Sequence, residues 1–253
     1  MCQFKSAIVL KNGDVIHSDW TDSHEDLIDM LELSDKGGEG FVRVEFVPDE
    51  NKYSDPKSYQ LKIDQNDTPG WWTEIVAERT SDYLREVIKR MIIKSDKKCL
   101  VGGSYILDGA NIGRCVNANV IVMLGSSNVG TMLGSSNVGT MRESSNVGTM
   151  WESSNVGTMW ESSKVGTMRE SSKVGTMRES SKVGTMWESS KVGTMLGSSK
   201  VGMMLDSSNV GTMRESSNVG TMRESSNVGT MWESSKVGTM RESSKVGTDK
   251  RIK

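Results

Sequence analysis

The sequence predicts a small α+β domain at the N-terminus, followed by a β-solenoid of nonapeptide repeats with two repeats, or 18 residues, per coil. Three observations carry that expectation. From Gly125 onward a nine-residue unit, G/E-S-S-N/K-V-G-T-M-x, recurs without slippage and gives fourteen units by Val246. Its valine column (Val129, Val138, Val147 and onward) and its methionine column (Met132 to Met240) keep a constant separation. Ahead of the array, short runs alternating with period two are interleaved with helical patterns. Charge divides the same way. Residues 1–124 hold 15 basic and 21 acidic side chains (net −6) and residues 125–253 hold 16 and 12 (net +4), which sums to the −2 of the whole chain.

Residues 1–100 read in order as β-β-α-β-β-α. Phe4–Leu10 is rich in strand formers, Lys11-Asn12-Gly13-Asp14 is a hairpin turn, and Val15-Ile16-His17 continues the partner strand. Ser23 with Asp26 three residues later resembles a capping box that opens a helix through Leu33, with Leu27, Ile28, Met30 and Leu31 on its buried side. Val42, Val44 and Phe46 alternate with Arg43 and Glu45, and Tyr59, Leu61 and Ile63 alternate with Gln60, Lys62 and Asp64. Both patterns suit half-buried strands. A helix of roughly 20 residues is expected from Pro69 to near Lys94. Its core stripe reads Trp72, Ile75, Val76, Tyr83, Leu84, Val87, Ile88, Met91 and Ile92. This helix is expected to cap the first coil, because an uncovered β edge invites aggregation.

Residues 101–124 are expected to form a degenerate capping coil. Gly109-Ala-Asn-Ile112 with Cys115, and Asn117-Ala-Asn-Val120 with Met123, are loose versions of the repeat. Residues 125–248 then make the solenoid, and 249–253 a charged tail. One unit cannot offset a backbone ordering cost of roughly 1–2 kcal/mol per residue. Stacked units can, since each valine and methionine lies on its own copy one coil below. Strands are expected around Val and Met, with turns at Gly and Ser-Ser. At about 4.8 Å per coil, seven coils would extend roughly 34 Å. Asp249 stands where the array calls for methionine and should stop further coils from adding.

The column after methionine supplies the candidate binding surface. Units 18 residues apart stack, so one edge reads Leu133, Trp151, Arg169, Trp187, Leu205, Arg223, Arg241. The other reads Arg142, Trp160, Arg178, Leu196, Arg214, Trp232. Alternating Trp and Arg put guanidinium groups on indole faces at cation–π separation, on the outside of the solenoid, with the adjacent Glu column as counter-charge. Surface decoration that keeps the rod soluble is the plainer reading of the same columns. Trp71-Trp72 after Pro69-Gly70 offers a second aromatic anchor.

Chemistry is sparse. Calcium-binding nonapeptides need G-G-x-G-x-D, whereas Asp occurs in this array only at 206 and 249. A threonine ladder (Thr131, Thr140, Thr149 and onward) suggests ice binding, but Met203 interrupts it and long charged groups lie close by. Interleaved Arg and Lys argue against an acidic nucleic-acid mimic, and net +4 is thin for a nucleic-acid ligand. Cys2 would be N-terminal after loss of Met1, as in amidotransferase-type nucleophiles, yet no companion motif follows. His17, Asp19, Asp22, His24 and Glu25 form the one His/carboxylate cluster, which helix capping explains as well as a metal would. No P-loop, dinucleotide fingerprint, G-x-S-x-G or zinc spacing occurs. No catalytic residue, cofactor or metal is therefore assigned. Three cysteines without ligand spacing fit reduced thiols, and the absence of a secretory signal or an 18-residue apolar run points to a cytoplasmic protein off the membrane.

The chain resembles uncharacterised proteins of bacteriophages and mobile elements of gut bacteria. The likeness rests on Met1-Cys-Gln-Phe4, Ser6-Ala-Ile-Val-Leu-Lys-Asn-Gly13, Ser23-His-Glu-Asp-Leu-Ile28, Phe41-Val-Arg-Val-Glu-Phe46 and the S-x-V-G-x-M array. More loosely, the array is similar to pentapeptide-repeat solenoids. The resemblance implies a phage or prophage accessory factor in the host cytoplasm, with no activity to carry over. The expected function is non-enzymatic: an N-terminal domain engages a protein partner, such as a host defence or regulatory protein, and the rod presents a repeated surface or acts as a spacer. Nucleic acid is disfavoured as a partner, and a homo-oligomer is compatible with this reading. The alternatives are a small enzyme or metal protein in residues 1–100 with the solenoid as scaffold, and a nucleic-acid-binding, nucleic-acid-mimicking or ice-binding solenoid.

Overall fold

The computed structural model describes residues 4–34, 40–50 and 52–251. The chain divides into two compact units between Ile92 and Ile93, ahead of the boundary expected at residue 100.

In the first unit, β1 (Lys5–Leu10) turns back into β2 (Val15–Ile16), with Val9 opposite Val15. Gly13 adopts φ +91 in this turn, a conformation open to glycine because it lacks a Cβ. Helix α1 (His24–Met30) follows, then β3 (Phe41–Pro48), β4 (Tyr59–Ile63) and α2 (Glu74–Met91). The four strands form one antiparallel sheet in the order β2-β1-β3-β4. Ser23 caps α1 as expected, its hydroxyl accepting from the Asp26 amide. Leu27 packs with Ile8 and Phe41, while Met30, expected inside, faces solvent.

Helix α2 starts later than Pro69. The Trp72 amide bonds back to the Pro69 carbonyl, closing a turn, and Thr73 is the true N-cap. The helix ends at Met91 because Ile92 and Ile93 become a strand. Its buried face is Thr80, Leu84, Val87, Ile88 and Met91, so the expected stripe holds at its C-terminal end. Ile75 (68 % exposed) and Tyr83 point outward. One helix covering a small sheet hides a stripe narrower than its apolar residues.

The second unit is the solenoid. After β5 (Ile92–Ile93), which spans the boundary, it opens with β6 (Lys97–Val101), β7 (Ser104–Asp108), β8 (Asn111–Val116) and β9 (Asn119–Leu124). Fourteen strands then follow, one per repeat, from β10 (Asn128–Leu133) to β23 (Lys245–Lys250). Odd and even strands separate into two parallel sheets, so each coil gives one strand to each. The register steps by two repeats: Val129 pairs with Val147, Met132 with Met150, and Asn146 with Lys164. Between the sheets the valine and methionine columns are fully buried from Val129 to Met231. Identical residues stacked at one strand spacing form one continuous buried column, which is why so few apolar side chains per unit suffice.

The turns differ from expectation in one respect. The glycine of V-G-T lies within the strand and not at a corner. Its role is close approach: a Cβ on Gly166 would lie 2.5 Å from the Gly148 carbonyl oxygen, and one on Gly148 would lie 2.4 Å from that of Gly130. The corner is the G/E-S-S stretch, as expected for Ser-Ser, where Glu143, Glu152, Glu161 and their equivalents take φ near +57 and Gly134 takes +68. The second serine of each corner is buried from Ser127 to Ser235. At Ser127, Ser136 and Ser235 the hydroxyl donates to the carbonyl three residues back, while the ten from Ser145 to Ser226 have no hydrogen-bond partner among the described residues.

Candidate functional site

The Trp and Arg residues lie in two edge ladders, as the 18-residue stacking requires. Arg169 sits between two indoles, its guanidinium 4.8 Å from the Trp151 ring centroid and 5.5 Å from that of Trp187. On the other edge Arg178 is 4.6 Å from Trp160, and Arg214 is 5.5 Å from Trp232. Lys250 adds a further rung 4.5 Å from Trp232. That rung was hidden by reading 249–253 as a tail, whereas β23 runs through Lys250. The four array tryptophans, Arg142, Arg169 and Arg223 are half-buried, while Arg178 and Arg214 are exposed. The indole faces of Trp151, Trp160, Trp187 and Trp232 are thus engaged by cations of the same chain.

The glutamate column works differently from the expected counter-charge. Its carboxylates accept from corner amides one coil back: Glu152 from Gly134 N at 2.5 Å, Glu188 from Glu170 N at 2.6 Å, and Glu233 from Glu215 N at 2.7 Å. Among the described residues these Gly134, Glu170 and Glu215 amides have no other partner, so a carboxylate reaching them ties successive coils together. One edge stacks Glu152, Glu170, Glu188, Asp206, Glu224 and Glu242 in register. Like charges at this spacing repel, and a carboxyl–carboxylate hydrogen bond to Asp206 pushes the Glu224 carboxyl above its ordinary range. Asn residues form a third ladder, with Asn137 donating to Asn119 and Asn155 to Asn137, both at 2.9 Å.

In the first unit the expected His/carboxylate cluster is dispersed. Lys5 is fully buried and bonds Asp22 at 2.9 Å and the Ser18 carbonyl, which removes Asp22 from any shared site. His17 is 4.0 Å from Asp19, and burial, with Lys5 nearby, holds its imidazole below the usual pKa. Glu25 is exposed on α1. His24 is drawn instead to Asp64, with Nδ1 3.0 Å from Oδ2, and to buried Glu45; ligand atoms of the three lie within 4.8 Å of one another. Sequence distance hid this trio, although Glu45 lies on β3 and Asp64 directly follows the neighbouring β4.

Two open clefts flank α2. One of about 540 Å³ is lined by Leu61, Ile63, Trp72, Glu78, Ser81 and Arg85, and one of about 520 Å³ by Val15, Ile16, Val76, Arg79, Thr80 and Tyr83. Trp71 is half-buried and edge-on to Trp72, with centroids 6.2 Å apart at 73°. Trp20 is 76 % exposed. Cys99 is half-buried and Cys115 buried, and both are free; burial pushes the Cys115 thiol up to about 12, which makes it a poor nucleophile. Cys2 lies outside the described residues. No described helix is long and apolar enough to cross a membrane. Comparison with protein-family models, with curated proteins and with solved structures finds no match for this chain.

Proposed function

We propose that this chain is a non-enzymatic binding and structural protein, a phage or prophage accessory factor of the host cytoplasm. In this reading the N-terminal domain engages a protein partner and the solenoid is a rigid spacer. The observation that carries the spacer reading is the edge ladder: Arg169 between Trp151 and Trp187 directs both partners' binding capacity along the rod. Side chains already paired between coils stiffen the stack and leave less to offer a ligand. Exposed Trp20, Ile75 and Tyr83 support the N-terminal domain as the docking side, because large apolar groups in water mark interaction surfaces.

The test compares full-length variants as baits in bacterial lysate, followed by direct binding to whatever is retained. A Trp20→Ser/Ile75→Ser variant should lose the partner by about tenfold or more in affinity, as removal of an aromatic anchor does. Trp→Ala at 151, 160, 187 and 232 together should leave affinity unchanged while lowering the melting temperature. The reverse pattern would make the rod edge the binding face. Absence of any reproducible partner would overturn the binding half of the proposal.

A further inference from the structure

We infer that His24, Glu45 and Asp64 form a binding site for a divalent transition-metal ion, with Zn²⁺ as the best match. The inference is independent of the partner reading above. His24 is buried where α1 meets the sheet, and its Nε2 lies 2.9 Å from the Val44 carbonyl oxygen. A carbonyl only accepts, so Nε2 carries the hydrogen and Nδ1 is the nitrogen left to face the carboxylates. This is the arrangement in which a metal-binding histidine is held: one ring N–H on a backbone carbonyl, the other nitrogen aimed at the ion.

The strands supply the rest. The Asp64 amide bonds the Arg43 carbonyl, and Lys62 pairs with Glu45, so Glu45 and Asp64 project from one face of the sheet. That face is the one on which α1 packs, since Ser6 and Ile8 of β1 stand opposite Glu45 and Arg43. Glu45 is 7 % exposed, whereas the Asp64 side chain is about half exposed, at 55 %. The donors therefore converge within 4.8 Å of one another, with Asp64 on the solvent side. One imidazole nitrogen and two carboxylate oxygens suit Zn²⁺ better than Ca²⁺, which takes oxygen ligands in larger number. A neutral imidazole, two carboxylates and a dication also balance in charge. The side open at Asp64 leaves room for water as a fourth ligand.

The competing occupant of the same geometry is a proton on Nδ1, giving an imidazolium–Asp64 pair, and the experiment separates the two. Full-length protein, stripped with chelator, is titrated with Zn²⁺, Mn²⁺ and Ca²⁺ by calorimetry, and the Co²⁺ form is examined by absorption. The His24 ring nitrogens are followed by ¹⁵N NMR at neutral pH. The expected result is one Zn²⁺ per chain, weaker Ca²⁺ binding, and a metal-shifted, unprotonated Nδ1. Asp64→Asn, at an exposed position that should keep the fold, and Glu45→Gln should each weaken Zn²⁺ by about tenfold or more. His17→Gln should leave the affinity unchanged. Failure of the wild-type protein to take up Zn²⁺, equal affinity in Asp64→Asn, or a protonated Nδ1 in the presence of Zn²⁺ would each overturn the site.

Discussion

A methyl group on Gly166 would lie 2.5 Å from the Gly148 carbonyl oxygen, nearer than van der Waals contact permits, and the same holds along the column. Parallel stacking fixes the coil spacing, so neither neighbour can withdraw without breaking ladder hydrogen bonds on both sides. Gly166→Ala should therefore destabilise the solenoid by about 1–3 kcal/mol, the range for forced overpacking, and thermal unfolding followed by circular dichroism would read it. Gly70, with open space around its Cα, gives the matched control: Gly70→Ala should be neutral within about 0.5 kcal/mol. Equal effects at the two sites would mean that the column is glycine for some reason other than close approach. The corner glutamates make a second residue-scale point. A left-handed backbone costs a non-glycine residue roughly 1–2 kcal/mol. In this array it recurs at ten repeat glutamates from Glu143 to Glu242. A carboxylate accepting from the corner amide one coil away offsets part of that cost and supplies a reason for Glu where glycine alone would be easier.

At the scale of elements, the acidic edge ladder sets a pH dependence. The Asp206 carboxylate beside Glu224 raises its carboxyl above the ordinary 4.5, chiefly through a hydrogen bond that only the protonated form donates. A group whose folded pKa is raised contributes its full stability below the unfolded value and loses it as pH rises through the folded one. This edge should thus be tighter near pH 4.5 than at neutrality. The clean measurement is the difference in melting temperature between wild type and Glu224→Gln, which mimics the neutral form. Wild type should gain on the variant as pH falls from 7 to about 4.5, and a constant difference would show that the carboxyls do not share a proton. How much of such a ladder is legible in advance follows from its physics. The 18-residue step was readable because Val and Met repeat with period nine and a coil must bring like residues together. That step alone placed Arg169 against Trp151 and Trp187. The role of Glu was not readable: Gly and Asp in the same column mark a left-handed corner, but the bond from a corner amide one coil away exists only once the coils are stacked. In the N-terminal domain the alternation of Val42–Phe46 and Tyr59–Ile63 gave the strands. The meeting of His24 with Glu45 and Asp64 depends on sheet register across distant segments, which periodicity does not encode. Helix α2 shows a third limit: its apolar pattern is wider than the face that its small sheet covers, and so Ile75 and Tyr83 were misplaced.

For the whole molecule, the question is what stops a self-similar stack from growing. Each coil presents a parallel edge that fits another copy of itself, a geometry prone to edge-to-edge association. Strands β22 and β23 are the outermost of the two sheets, and burial declines there: Val237 and Val246 are only half-buried and Met240 is 43 % exposed. Asp249 stands opposite Met231, in the methionine column, and its carboxylate is bound by Arg251, whose guanidinium also reaches the Ser235 carbonyl at 3.4 Å. A further coil would have to bury that ion pair against methionine, which costs more than its mutual attraction returns once water is removed. Asp249→Met restores the column and frees Arg251 from its partner. It should convert the last coil into a template, so that sedimentation velocity shows larger, concentration-dependent species than wild type at equal concentration. Adding Lys to the exposed face of the same coil, as in Thr248→Lys, should reverse the effect by charge repulsion across the new contact. An unchanged sedimentation profile for Asp249→Met would show that the charge replacing methionine is not what stops the stack.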